Sequence, residues 1–120
     1  MYHAEFPKSI EKQFRAFTGA LREMELRHAL ENLKQNFTEW EVGAIDSFEL
    51  SDRIHAFHSG ASREIYVRYT SRLDPRLLVR RALEEALIKP ESIPEDLRPY
   101  MEEYSIPWRG NFERSLGDAS

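Results

Sequence analysis

The sequence predicts an all-α protein, a small helical bundle of about five helices opened by a long first helix that carries two apolar stripes. Three observations carry that prediction. Apolar residues recur at three- and four-residue spacing along nearly the whole chain. No segment alternates apolar and polar residues convincingly at period two. Helix-ending and helix-starting signals at Gly43, Asp46 to Glu49, Asp74-Pro75 and Pro90 fall between the periodic segments.

The first segment opens at Pro7 and Ser9 and runs without proline to Val42, mostly in good helix formers. At 100° per residue, Ile10, Phe14, Phe17, Leu21, Met24 and His28 share one stripe. Leu26, Ala29, Leu30, Leu33, Phe37 and Trp40 share another, rotated by roughly a third to a half turn. A single rod of this length spans about 50 Å at 1.5 Å per residue, longer than a small domain is wide. Either the helix breaks near Gly19 and folds both stripes into one monomer, or it projects and buries a stripe against another chain.

Gly43 suits a left-handed helix C-terminus. Asp46-Ser47-Phe48-Glu49 then reads as a capping box, with Ile45 and Leu50 as its hydrophobic staple. The next helix should reach about His58, burying Leu50, Ile54 and Phe57. A break at Ser59-Gly60 and a further helix from Ala61 to about Arg72 should follow, with Ile65, Tyr69 and either Tyr66 or Leu73 inward. Asp74-Pro75 is an N-cap with proline at the first helical position, stapled by Leu73 and Leu78. It opens a helix Pro75 to Lys89 burying Leu78, Val79, Ala82, Leu83, Ala86 and Leu87, and Pro90 ends it. Beyond Pro94 a short helix presents Ile93, Leu97, Tyr100, Met101 and Tyr104, divided by Pro99. Trp108, Phe112 and Leu116 recur at four-residue spacing in the tail.

At 120 residues and 14.2 kDa the expectation is one helical domain over 1–120, with 105–120 as a docking tail. The absence of Cys excludes disulfides, thiolate metal sites and a cysteine nucleophile. The longest aliphatic run is Leu77-Leu78-Val79, and Met1 to Ser9 contains no apolar core. Neither a membrane span nor a secretory precursor is expected, and the location expected is cytoplasmic.

The net charge of −4 conceals blocks: −4 over residues 1–52, +5 over 53–81, −5 over 82–104 and zero thereafter. Arg53, Arg63, Arg68, Arg72, Arg76, Arg80 and Arg81 make up the basic block. Such a block marks either an anion site or mutual attraction between neighbouring helices, and the acidic overall balance favours attraction.

Three chemistries are legible. Gly43 to Leu50 shares its glycine, isoleucine and glutamate spacing with the second half of an EF-hand loop. Trp40 and Val42, however, stand where calcium needs oxygen ligands. Glu25-x-x-His28 and Asp52-x-x-His55, with His58 one turn on, have the spacing found in di-iron bundles, which makes a metal-dependent bundle enzyme the third reading. Glu49 to Arg72 around His58-Ser59-Gly60 has the outline of a helix-turn-helix. It is the basis of the alternative reading, a nucleic-acid binder using the Arg-rich 61–81 segment, with Arg63, Arg68, Arg72, Arg76 and Arg80 as contacts. Ile65 stands one residue off the inward position that this motif requires. No phosphate loop, nucleophile elbow or zinc-protease motif occurs, and Asp52, His55 and Ser59 are neighbours in sequence without a defined geometry. No catalytic, cofactor-binding or metal residues are therefore assigned, and no cofactor is expected.

The leading expectation is a noncatalytic interaction or scaffolding protein that forms a homodimer through its first helix. Its association surface is drawn from Phe14, Phe17, Leu21, Met24, Leu33, Phe37, Trp40, Trp108 and Phe112.

Overall fold

A computed structural model describes residues 6–102. Tyr104, Trp108, Phe112 and Leu116 lie outside the described residues. Those described are all-α, with no strand among them. The chain divides into two compact units: Gly19 to Arg72, and the residues before and after that stretch.

Helix α1, Lys8–Glu41, is one unbroken helix of 34 residues. Gly19 lies within it, so of the two arrangements open to the sequence the broken helix is removed. A lone glycine costs a helix interior only about 0.5–1 kcal/mol relative to alanine, too little to end a helix that has apolar contacts on both sides of it. The C-terminus closes as a Schellman motif. Gly43 adopts φ 79°, its N–H donates to Trp40 O at 3.0 Å, and Ala44 N–H donates to Glu39 O at 2.8 Å.

In the unit built from residues 6–18 and 73–102, α1 contributes buried Ile10 and Phe14. Helix α4, Pro75–Glu84, contributes Leu78, Val79, Ala82 and Leu83. Short 3-10 turns at Pro90–Ser92 and Glu95–Leu97 and a final turn of helix, α5, Arg98–Met101, supply Ile93, Leu97 and Met101. Pro99 divides this last segment as the sequence requires. The segment is tied down locally by Arg98, whose guanidinium donates to Ile93 O at 3.0 Å and Glu91 O at 3.2 Å. Gln13 of α1 reaches Asp96 at 3.2 Å.

Asp74 has two tasks in this unit. It caps α4 by accepting from Arg76 N–H at 3.0 Å, and the same carboxylate holds the Arg76 guanidinium, with Nη2 to Oδ2 at 2.6 Å. Both residues are buried. The Phe6 ring lies 5.0 Å from the guanidinium carbon and packs against Phe14 and, edge-on, Tyr100.

Helix α4 stops five residues short of the expected Lys89. Ala86 takes a left-handed φ of 57°, its N–H donates to Leu83 O, and Leu87 N–H donates to Ala82 O at 2.8 Å. This is a second Schellman closure, built on alanine. It turns Ala86 and Leu87 out of the core that helical continuation would have given them.

The unit 19–72 is an antiparallel hairpin. The second half of α1 runs against α2, Ser47–Phe57, a π turn, His58–Ser62, and α3, Arg63–Thr70. Asp46 caps α2 as predicted, accepting from Glu49 N–H at 2.8 Å, and Leu50 is buried. The Glu49 carboxylate turns instead to Arg53, at 3.0 Å.

The expected break at Ser59-Gly60 is absent: residues 47–70 form one continuous helical run, so this segment is not a helix-turn-helix. The π turn accounts for the misplaced Ile65. Phe57 and Ile65 are eight residues apart, which in a regular helix rotates them by about 80°. A π turn absorbs one extra residue, and Ile65 returns to the buried side while Tyr66 and Leu73 remain exposed.

The two glycines should respond oppositely to alanine. A Cβ at Gly19 meets nothing within 4 Å, so Gly19→Ala should raise stability by about 0.5–1 kcal/mol. Gly43→Ala should lower it by about 1–2 kcal/mol through its left-handed backbone. Urea unfolding monitored by circular dichroism reads both signs. Deleting Ser59 should convert the π turn to regular helix with Ile65, Arg68 and Tyr69 still in phase, leaving the melting temperature nearly unchanged. Deleting Val67 throws Arg68 and Tyr69 out of phase and should lower it by several degrees.

Candidate functional site

The hairpin 19–72 has two unlike edges. One is polar and internally paired. Arg53 donates to Asn36 at 2.7 Å and Glu39 at 3.2 Å, besides its contact with Glu49. Farther along, Glu25 accepts from Arg68 at 3.1 Å and makes a short hydrogen bond with the Tyr69 hydroxyl. The Glu25 side chain is only 10% exposed, so these donors compensate a carboxylate largely removed from water.

These contacts fasten the Glu25 and Glu39 flank of α1 to the Arg53 and Arg68 flank of α2 and α3. In an antiparallel pair the two remaining flanks share the opposite edge. That edge carries Leu30 and Phe37 on α1, two turns apart, with Ile54 on α2 and Tyr66 on α3. Trp40 closes its end, the indole N–H donating to Ser47 Oγ at 3.0 Å. Arg22 lies 5.8 Å from the Tyr66 ring centre. Leu30 is 46% exposed, Phe37 37%, Trp40 41%, Ile54 37% and Tyr66 60%. Between the two edges, Leu26, Leu33 and Phe57 are only half-buried, as expected where two helices must cover each other alone.

The residues expected to form an association surface separate on this frame. Leu33 lies in the seam, and Phe37 and Trp40 lie on the apolar edge. Met24 is exposed on a different flank of α1 and Phe17 is half-buried. Phe14 and Leu21 are buried within the chain and drop out, because α1 stays continuous and its first stripe is covered there. Trp108 and Phe112 lie outside the described residues.

The arginines are largely occupied. Arg68 is held by Glu25, Arg76 is buried on Asp74, Arg80 pairs with Glu84 at 2.8 Å and Arg81 with Glu85 at 2.7 Å. The buried Arg76 guanidinium is turned to Asp74 rather than to an anion in solvent. Arg63 and Arg72 are exposed. The +5 block is thus mostly consumed by acidic neighbours.

His28, His55 and His58 are exposed, His28 although it shares a stripe with buried Ile10, Phe14 and Leu21. Glu25, half of the Glu25-x-x-His28 spacing, is engaged by Arg68 and Tyr69 instead. Among the described residues no group of three or more His, Asp or Glu converges on a metal position. The Ser59 hydroxyl donates to the His55 main-chain oxygen at 2.9 Å, a helix contact that commits its proton to the backbone. Also among the described residues, no helix is long and apolar enough to cross a membrane. The sequence reading supplies Phe37 and Trp40 of this edge but expects Ile54 inward, and Tyr66 inward as the alternative to Leu73. The phase of Tyr66 against α1 depends on the π turn, and the side on which both residues fall depends on which flank the ion pairs take.

No family model matches the chain, and no curated protein or solved structure is significantly similar to it.

If the polar edge is structural, Arg68→Met, which withdraws a donor from the buried Glu25 carboxylate, should cost about 1–3 kcal/mol of unfolding free energy. Arg63→Ala, at an exposed position, should stay within about 0.5 kcal/mol. Parallel urea titrations of the two variants make the comparison.

Proposed function

We propose that this protein is a noncatalytic interaction or scaffolding module that self-associates as a homodimer through the unit 19–72. One observation carries the reading. In the unit 19–72, five large apolar side chains are exposed along a single edge of a two-helix hairpin whose other edge is tied up in its own ion pairs. Two helices expose too much apolar surface to be a finished layer, and the common completion is a second pair. A cysteine-free chain of mild net charge suits a cytoplasmic setting.

Nucleic-acid binding through Arg63, Arg68, Arg72, Arg76 and Arg80 has weaker support, because three of these five arginines have acidic partners within the chain. A metal-dependent enzyme has less, because Glu25 is engaged elsewhere.

Sedimentation equilibrium of the full chain should give twice 14.2 kDa at micromolar concentration. A mass of 14.2 kDa maintained to high micromolar concentration overturns the proposal.

A further inference from the structure

Given self-association, the dimer surface can be specified. We infer that the apolar edge formed by Leu30, Phe37, Trp40, Ile54 and Tyr66 seats the same edge of a second copy, the two hairpins completing a four-helix bundle about a two-fold axis. The inference rests on the proposed function and goes further by naming the surface and its occupant.

Three features select a second copy. The first is area. Hairpin arms of about 23 residues run roughly 35 Å and together span roughly 20 Å. The side of the hairpin on which this edge lies therefore has a footprint of about 700 Å², close to the roughly 800 Å² per partner of a stable interface. The second is charge. The unit 19–72 holds seven basic and nine acidic side chains, so its net charge is only −2 and two copies repel weakly. That balance gives no attraction for an anionic partner. The third is the division of labour between the edges: the intramolecular pairs of Arg53 and Arg68 leave the apolar edge as the one still to be covered.

Two-fold symmetry adds a geometric consequence. Leu30 lies midway along the α1 arm of the hairpin, so the two-fold axis inferred here, which runs across both arms at mid-length and stacks α1 on α1, brings it near the same residue of the second copy.

The experiment uses the full chain. Phe37→Glu should weaken the dimer at least 100-fold by sedimentation while the far-ultraviolet dichroism stays helical. Phe48→Glu, at the most exposed apolar residue of the hairpin and off this edge, should leave affinity within threefold. Because the chain has no cysteine, Leu30→Cys should form a disulfide-linked species of twice the mass under mild oxidation, and Val67→Cys, on an outer face, should not. This cross-linking also decides the matter if Phe37→Glu fails to fold.

A dimer that keeps its affinity in Phe37→Glu overturns the surface while leaving self-association standing. So does a Leu30→Cys variant that does not cross-link. A monomeric wild-type chain overturns both. If the wild type is monomeric and Trp108→Ala makes it dimerise, the occupant of the edge is the chain's own tail, and the inference falls.

Discussion

A helix of 34 residues needs apolar partners along about 50 Å of its length, and that requirement governs the rest of the chain. Once Gly19 fails to interrupt α1, neither stripe can be folded back on the other. Each must be met by separate elements. Ile10 and Phe14 serve one unit, with α4 and the turns that follow it. Leu26, Ala29 and Leu33 serve the other, against α2 and α3. The rotation of the stripes along α1 is the sequence-level trace of a helix that contributes to two cores.

The two units are stabilised differently. In the unit built from residues 6–18 and 73–102, nine apolar side chains are buried, and so is the Asp74 and Arg76 pair. Such a pair contributes little net stability of its own, but it leaves little freedom in how α4 begins, since one carboxylate must both cap the helix and hold the guanidinium. In the hairpin, only Leu21, Leu50 and Ile65 are buried among the apolar residues, and much of the register is set by polar contacts along one edge. A hairpin with so small a core has its apolar capacity unspent, and this asymmetry is what directs the proposed dimer to the opposite edge.

The charge blocks have a matching interpretation. Runs of opposite charge that alternate along a sequence become neighbours when helices reverse direction, and here they become neighbours inside the chain. Glu25 and Glu39 of the acidic first block meet Arg68 and Arg53 of the basic one. Arg80 and Arg81 meet Glu84 and Glu85 a single turn away. An arginine-rich segment read in isolation suggests an anion site, whereas its pairing makes it mainly a device for alignment.

Local chemistry alone determined the all-α class, the helical character of the first segment on either side of Gly19, the Gly43 turn, the caps at Asp46 and Asp74 and the division at Pro99. Each depends on residues within one or two turns of one another, where steric and hydrogen-bonding preferences act without tertiary help. Three other features required contacts distant in sequence. Gly19 stays helical because packing on both sides outweighs a penalty of about 1 kcal/mol. Residues 58–62 become a π turn because the seam with α1 requires Ile65 inward, and Ala86 accepts a left-handed backbone to end α4 early. The candidate surface belongs to the same class. Which flank of the hairpin stays apolar follows from where Glu25 and Glu39 find their arginines, and contacts that span 43 and 14 residues of sequence act only once the hairpin has closed.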